Sequence, residues 1–553
     1  MWAVEHLAAA CGTAAQRTAH PGHEGDQSDS GLCHDRAVTA PTYPSTVGRI
    51  LERTARRLPD KLALTFADRH WTYAELDRAV SRVAAGLRAQ GLSPGDRVIA
   101  FGKNSDAYLL SYLGCARAGL VHVPVNFNSK GEELAYLLTQ SEPSLALVDP
   151  ELEPLVDEVA DQIGSLRRGS LRDSDNEIDV LRWALDPDGP EHQESGVGDE
   201  DLVQLLYTSG TTSRPKGAML THRALVHEYA SCIAALDLRQ DDVPLHSMPL
   251  YHSAQMHVFL IPGLAVGATN HLVAAPNLDE ILQRVPQDGI TSLFFPPTVW
   301  VGLANHPGLA DANLSSLRKA YYGASIMPVP VLQKLQQALP EVGFYNCFGQ
   351  SEIGPLATVL RPEEHAKRPD SVGRPVLFVE VRVLDENGND VEPGGRGEVV
   401  YRSPQLCRGY WGKPEETAEA FTPDGWFRSG DLVRIDEEGY LYVVDRIKDV
   451  VNTGGVLVAS REVEEALYGH PAVGEVAVIG LPHEKWIEAI TAVVVPKAEV
   501  TPDELIAYAK EHLAAHKVPK QVYLVDELPK NPSGKLLKRE LRARYGGSPD
   551  AVG

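Results

Sequence analysis

Apolar and polar positions along this chain follow two rhythms. Leu76, Val80, Val83 and Leu87 recur at helical spacing, and Thr72 with Glu75 forms the capping box that opens such a helix. A β-like run follows at 97–101, then an Ala/Leu-rich helical stretch at 107–118 and an apolar run at 120–125. Strand–helix alternation of this kind predicts a layered α/β domain. Residues 165–201 are polar and acidic with scattered Gly and Pro, and predict a loop or linker. The apolar strand 202–207 comes next, and the α/β pattern runs on to about 440.

Beyond Arg446 the rhythm changes. Helix 461–468, strands 475–479 and 489–495, helix 502–515 and strand 521–525 predict a compact α+β unit of about 100 residues, a separate domain. Residues 1–42 lack periodicity and read as a disordered extension or a start codon placed too early. The expected division is therefore 1–42, a large domain 43–445 and a small domain 446–553.

Composition narrows the chemistry. The 553 residues carry 52 Lys+Arg against 75 Asp+Glu, a formal charge of −23. So acidic a chain lacks the basic footprint of a nucleic-acid binder and suits an anionic membrane surface badly. An anionic ligand would need locally placed Lys, Arg or backbone N–H groups. The six cysteines form no CxxC pair and sit at no metal-ligand spacing, which fits reduced thiols in a cytosolic protein. No run of 18 apolar residues exists, and the Leu7–Cys11 stretch lacks the basic flank of an export signal, so a cytoplasmic location is expected.

The sharpest local feature is Tyr207-Thr208-Ser209-Gly210-Thr211-Thr212-Ser213-Arg214-Pro215-Lys216-Gly217. It follows a strand and packs five hydroxyls into positions 208–213, close to Lys216. Backbone N–H groups, hydroxyls and an ammonium can together hold phosphate oxygens. It is not a Walker A loop, because the order Pro-Lys-Gly replaces Gly-Lys-Ser/Thr. A polar surface turn would explain the glycine but not the hydroxyls.

This segment resembles the phosphate loop of the adenylate-forming (ANL) superfamily, and further elements resembling that family follow in order. Tyr321-Tyr322-Gly323-Ala324-Ser325 resembles the adenine-binding turn, and Asn346-Cys347-Phe348-Gly349-Gln350-Ser351-Glu352 the Tyr-Gly-x-Thr-Glu element. Trp426 to Leu432 resembles the ribose-binding Trp-x-x-Thr-Gly-Asp, Asp445-Arg446-Ile447-Lys448-Asp449 the interdomain hinge, and Pro532-Ser533-Gly534-Lys535 the C-terminal lysine loop. The likeness covers roughly residues 45 to 545 and points to the acyl-CoA synthetase branch. It implies an α/β fold with a large multi-layered N-terminal domain and a small mobile α+β C-terminal domain.

The resemblance also implies the chemistry. A carboxylate attacks the α-phosphate of ATP, pyrophosphate leaves, and a thiol then displaces AMP from the acyl-adenylate. Two anions meet in the first step, so cations must offset their repulsion. The nucleotide would be held by Thr208, Ser209, Gly210, Thr211, Thr212, Lys216, Gly323, Ala324, Ser325, Gly349, Gln350, Ser351, Asp431 and Arg446. Glu352 would hold Mg²⁺, Asp431 the ribose, and Lys535 the charge developing at the α-phosphate. Taken singly, Asp431 reads equally as a turn residue, Lys535 as a solvated lysine and Glu352 as a helix cap.

In the second half-reaction the small domain would swing about Lys448, withdraw Lys535 and present Gly454-Gly455 to coenzyme A. His252 is placed with the catalytic residues. The acyl pocket is expected from Tyr251, Gln255, Met256, Phe259, Pro297, Trp300, Cys347 and Phe348, although the apolar ones could equally be core. His252 stands near where amino-acid-activating relatives carry an Asp, which favours an acid without an α-amino group. Ser351 replaces the usual Thr, Phe348 the common Tyr, and Val456 to Ser460 lacks the polar pair usual after the glycines.

The expected function is an ATP- and Mg²⁺-dependent acyl-CoA ligase for a hydrophobic carboxylic acid. Two alternatives stand beside it: the same fold running one half-reaction or serving a phosphopantetheinyl carrier protein, and a nucleotide- or acyl-binding regulator without turnover. The partners expected are the acid and CoA or a carrier protein, with no nucleic acid and no membrane insertion; a homodimer is admitted.

Overall fold

The computed structural model describes residues 44–193, 196–208, 214–530 and 536–546. The expected extension 1–42, the hydroxyl-rich 209–213 and the lysine loop around Lys535 lie outside the described residues. The helix predicted from Thr72 runs Tyr73–Ala89 with its capping box formed, and Leu76, Val80, Val83 and Leu87 are wholly buried. The next helix, Asp106–Ala118, is buried at every residue. A helix covered on all sides belongs between layers, and it touches strands of two sheets.

The first of these sheets has six strands, in the order Arg168–Ser170, Leu145–Val148, Arg97–Phe101, Val121–Val125, Leu202–Thr208, Lys216–Thr221. All pairs are parallel except the last. Val121–Val125 and Leu145–Val148 are buried at each position, as strands covered on both faces must be. The second sheet has nine strands, with Ser292–Phe295, Lys319–Gly323 and Gly343–Gly349 adjacent and parallel at its centre. A four-stranded antiparallel sheet follows, Glu380–Leu384 to Leu441–Arg446.

The region 165–201 departs from the loop expected. Arg168–Ser170 adds an edge strand, and the helix Val180–Leu185 lays Trp183 against Gly86, where an added Cβ would sit 2.5 Å from the indole. Elements of three and six residues are too short to show a period among polar neighbours.

The C-terminal part builds its own five-stranded sheet around Val473–His483 and Ile487–Pro496. Val463, Val478, Ile490 and Leu505 fill a core made only of residues beyond 450. Helix Ser460–Tyr468 matches the expected position, and Pro502–His512, opened by a Thr501–Glu504 capping box, starts where expected but ends three residues short of 515, where Leu513 turns extended. Gly454 and Gly455, with φ of 65° and 87°, form the two-residue turn between Val451–Thr453 and Val456–Val458. Positive φ at both central residues is what a type I′ hairpin turn requires. That turn leaves Val456 and Leu457 45% and 71% exposed.

Candidate active site

Three of the expected nucleotide elements lie at carboxyl ends of strands, where α/β sheets bind ligands. Thr208 ends Leu202–Thr208, Gly323 ends Lys319–Gly323, and Gly349 ends the neighbouring Gly343–Gly349. Close backbone approach explains both glycines. A Cβ on Gly323 would lie 2.3 Å from Cys347 O, and one on Gly349 2.0 Å from Pro355 O. Ala324 follows in the left-handed region at φ 64°, a strained conformation for a residue with a side chain. It is exposed, as is Ser325.

Glu352 sits in the short 3₁₀ turn Ser351–Ile353 and is 7% exposed. Thr208 Oγ1 donates to its Oε1 at 3.2 Å, and the Tyr410 hydroxyl donates to the same oxygen at 3.0 Å. Burial, aided by the Glu352 charge, pushes the Tyr410 hydroxyl well above its ordinary value, so it stays a donor. The Lys216 ammonium lies over the Tyr410 ring, 5.0 Å from its centroid. Ser351 and Ser253 pair through their hydroxyls at 3.1 Å. Gln350 is half-buried beside them. Among the described residues no group of three His, Cys, Asp or Glu side chains could cage a metal. One carboxylate beside hydroxyls is a donor set for Mg²⁺, which keeps several waters and takes its other oxygens from substrate phosphates.

Asp431 and Arg446 are cross-strand partners joined by an ion pair at 2.6 Å. Asp431 is 3% exposed, and its N–H donates to Ser429 Oγ at 2.9 Å. Next along the chain, Asp445 Oδ2 accepts from the N–H and hydroxyl of Ser460 at 2.6 and 2.8 Å. Lys448 is exposed on the turn Ile447–Asp449. Asp449 pairs with Arg542 at 2.7 Å.

His252 is half-buried, and Ala254 N–H approaches its Nδ1 at 3.5 Å. It borders a small, partly open pocket together with Met248, Pro249, Ala254, Gln255, Phe294, Pro296 and Ala324. Ala254 and Gln255 belong to a π-helical segment, Ala254–Leu260, of a kind frequent at functional sites. Gln255 is held at both ends: its Oε1 accepts from Met248 N–H at 3.2 Å, and its Nε2 lies 2.7 Å from His246 Nδ1. Behind the cavity wall Phe259 stacks on Phe294 at 4.5 Å and reaches Tyr321 at 5.0 Å.

The remaining acyl candidates divide. Trp300 is fully buried, donates from Nε1 to Tyr321 O at 3.0 Å and packs on Phe295, so it is core. Met256 and Phe259 are also core, and Pro297 is buried at the start of the helix Pro297–Ala304. Tyr251 and Phe348 are half-buried, Tyr251 edge-on to Phe127. Cys347 is buried, and burial pushes its thiol far above the ordinary value, which makes it inert as a nucleophile. Tyr410 is the site residue the sequence did not single out. Its only local signal is a Gly-Tyr-Trp run, which is common in ordinary turns.

Comparison with known proteins identifies the family. The AMP-binding enzyme family model matches residues 51–411, and the model for the AMP-binding enzyme C-terminal domain matches 462–535. A feruloyl-CoA synthase from Amycolatopsis sp is 40% identical over 89% of this chain and 98% of its own. A long-chain-fatty-acid–CoA ligase from Thermus thermophilus is 34% identical over 86% of this chain and 90% of its own. Among solved structures, ATP-bound MatB from Rhodopseudomonas palustris superposes with a TM-score of 0.82 at 31% identity, covering 90% of this chain and 99% of that one. The anthranilate CoA ligase AuaEII with anthranoyl-AMP gives 0.83 at 26% identity, covering 91% and 98%. The chain belongs to the AMP-binding enzyme family, in the acyl-CoA synthetase branch of the adenylate-forming superfamily.

Proposed function

We propose that this AMP-forming acyl-CoA ligase activates a compact aryl or aryl-propenoic acid. The observation that carries the reading is the cavity beside His252. Its wall at Phe294 is backed by Phe259, which stacks on Phe294 and lies tilted against Tyr321, and an aromatic wall of this kind suits a flat ring better than a long flexible tail. Similarity to a feruloyl-CoA synthase supports the same class. Among the described residues no acidic side chain lines the pocket to receive an α-ammonium.

In this reading Asp431, oriented by Arg446, accepts from the ribose hydroxyls, and Thr208 with Lys216 and the segment 209–212 holds the phosphates. Glu352 supplies an oxygen to Mg²⁺, which would offset the repulsion between carboxylate and α-phosphate. Lys535 stabilises the charge that builds as pyrophosphate leaves. The domain boundary falls at 445/446, and rotation about Lys448 then exchanges Lys535 for the Gly454-Gly455 turn, beside which the CoA thiol approaches the adenylate.

The test is ATP–pyrophosphate exchange by purified protein with Mg²⁺ and separate panels of benzoic, aryl-propenoic and C12–C16 fatty acids. Aryl acids should support exchange and, with CoA added, release AMP. Faster exchange with the fatty acids would refute the substrate class.

A further inference from the structure

The loop after strand Arg396–Arg402 grips the Glu352 turn at several points. Cys407 N–H donates to Glu352 O at 2.8 Å, and Gln405 Nε2 donates to Ile353 O at 3.3 Å and Leu356 O at 3.1 Å. The same loop pairs with the strand that carries Lys216. Met219 N–H donates to Gly409 O, Arg408 N–H to Met219 O, and Trp411 N–H to Gly217 O, at 2.8 to 2.9 Å. Tyr410 therefore stands where the two functional elements are sewn together, with its hydroxyl on Glu352 and its ring face under Lys216.

Among the described residues, the hydrogen bonds to the Glu352 carboxylate converge on Oε1. Two donors on one oxygen fix the carboxylate plane and direct the other oxygen elsewhere. We propose that Tyr410 is a positioning residue: its hydroxyl, with that of Thr208, locks Glu352 Oε1 so that Oε2 is presented to the divalent cation that accompanies ATP. The inference rests on Glu352 being the cation ligand. Partners one step removed from a metal commonly tune its affinity by 10–100-fold.

The test is Mn²⁺ binding to the full chain in the presence of ATP, followed by electron paramagnetic resonance without any acid substrate. Tyr410→Phe keeps the ring and removes the hydroxyl. It should weaken Mn²⁺ binding about 10-fold while metal-free ATP binding, measured by dialysis in EDTA, stays within twofold of the parent. Mn²⁺ affinity within twofold would overturn the proposal, and so would an equal loss of metal-free ATP binding. Glu352→Gln is the reference. If it leaves Mn²⁺ affinity unchanged, the ligand role of Glu352 fails first and the proposal with it. Should Tyr410→Phe not fold, Thr208→Val removes the other donor to the same oxygen. It should weaken Mn²⁺ binding by clearly more than it weakens metal-free ATP binding, and no such excess would overturn the idea equally.

Discussion

Glu228 is a buried carboxyl with a measurable consequence. It lies on the helix His222–Ala235, wholly out of solvent. Its Oε1 accepts from Leu356 N–H at 2.9 Å and from the Cys232 thiol at 3.2 Å, and its Oε2 accepts from Gln405 Nε2 at 2.5 Å. Among the described residues no cation pairs with it. Desolvation outweighs the hydrogen bonds from Leu356 and Cys232, and the carboxyl is pushed up to about 8 from an ordinary 4.5. The folded state thus binds this proton more tightly than the unfolded chain does. The stability it contributes is intact below about pH 4.5, drains away as pH rises toward 8, and is gone above that. At 1.36 kcal/mol per pH unit, the loss between pH 5 and pH 8 is about 3–4 kcal/mol.

Glu228→Gln imitates the protonated acid and does not titrate. A domain of about 400 residues unfolds with an entropy near 1 kcal/mol/K, so the loss corresponds to roughly 4 °C. Calorimetry at matched ionic strength should find Tm of the Gln variant gaining about that much on the parent from pH 5 to pH 8. A difference that stays constant across this range would refute the argument.

Three other outcomes are expected. Trp300→Ala should cost about 3–5 kcal/mol of stability, seen as a lower denaturant midpoint, with acid preference retained; unchanged stability with altered preference would place Trp300 in the pocket. Ala324→Gly should relieve a left-handed alanine and raise the unfolding free energy by about 1 kcal/mol, and a fall would mean that φ 64° is not strained. Lys535→Ala should abolish acyl-AMP formation yet leave thioester formation from supplied acyl-AMP largely intact. Both rates unchanged in a stopped assay would remove Lys535 from the chemistry.

What the sequence revealed divides along physical lines. The Thr72 capping box and the face Leu76–Val80–Val83–Leu87 were readable because local hydrogen bonds and helical period write themselves into consecutive residues. The ordered motifs singled out Thr208, Glu352, Asp431 and Arg446 as candidates, but not why Gly323 and Gly349 must be glycines, since Cys347 O and Pro355 O are the atoms that crowd them. Tyr410 was silent because its partner lies 58 positions away, and Gln405 because Glu228 lies 177 away. Trp300 and Phe259 were ambiguous for another reason: pocket walls and core share one apolar composition, and only burial on all sides separates them.

The hairpin at Gly454-Gly455 has a colloidal consequence. Its outer strand Val456–Val458 is a sheet edge carrying apolar side chains into water, the kind of surface that recruits a second chain. Three residues are fewer than the six or seven that a stacked β-assembly needs, and the type I′ turn and the helix Ser460–Tyr468 close off both ends. A net charge of −23 adds long-range repulsion between copies. The protein therefore keeps an apolar tip in water by shortness and charge together, and high salt, which screens the charge alone, is the condition under which that protection thins.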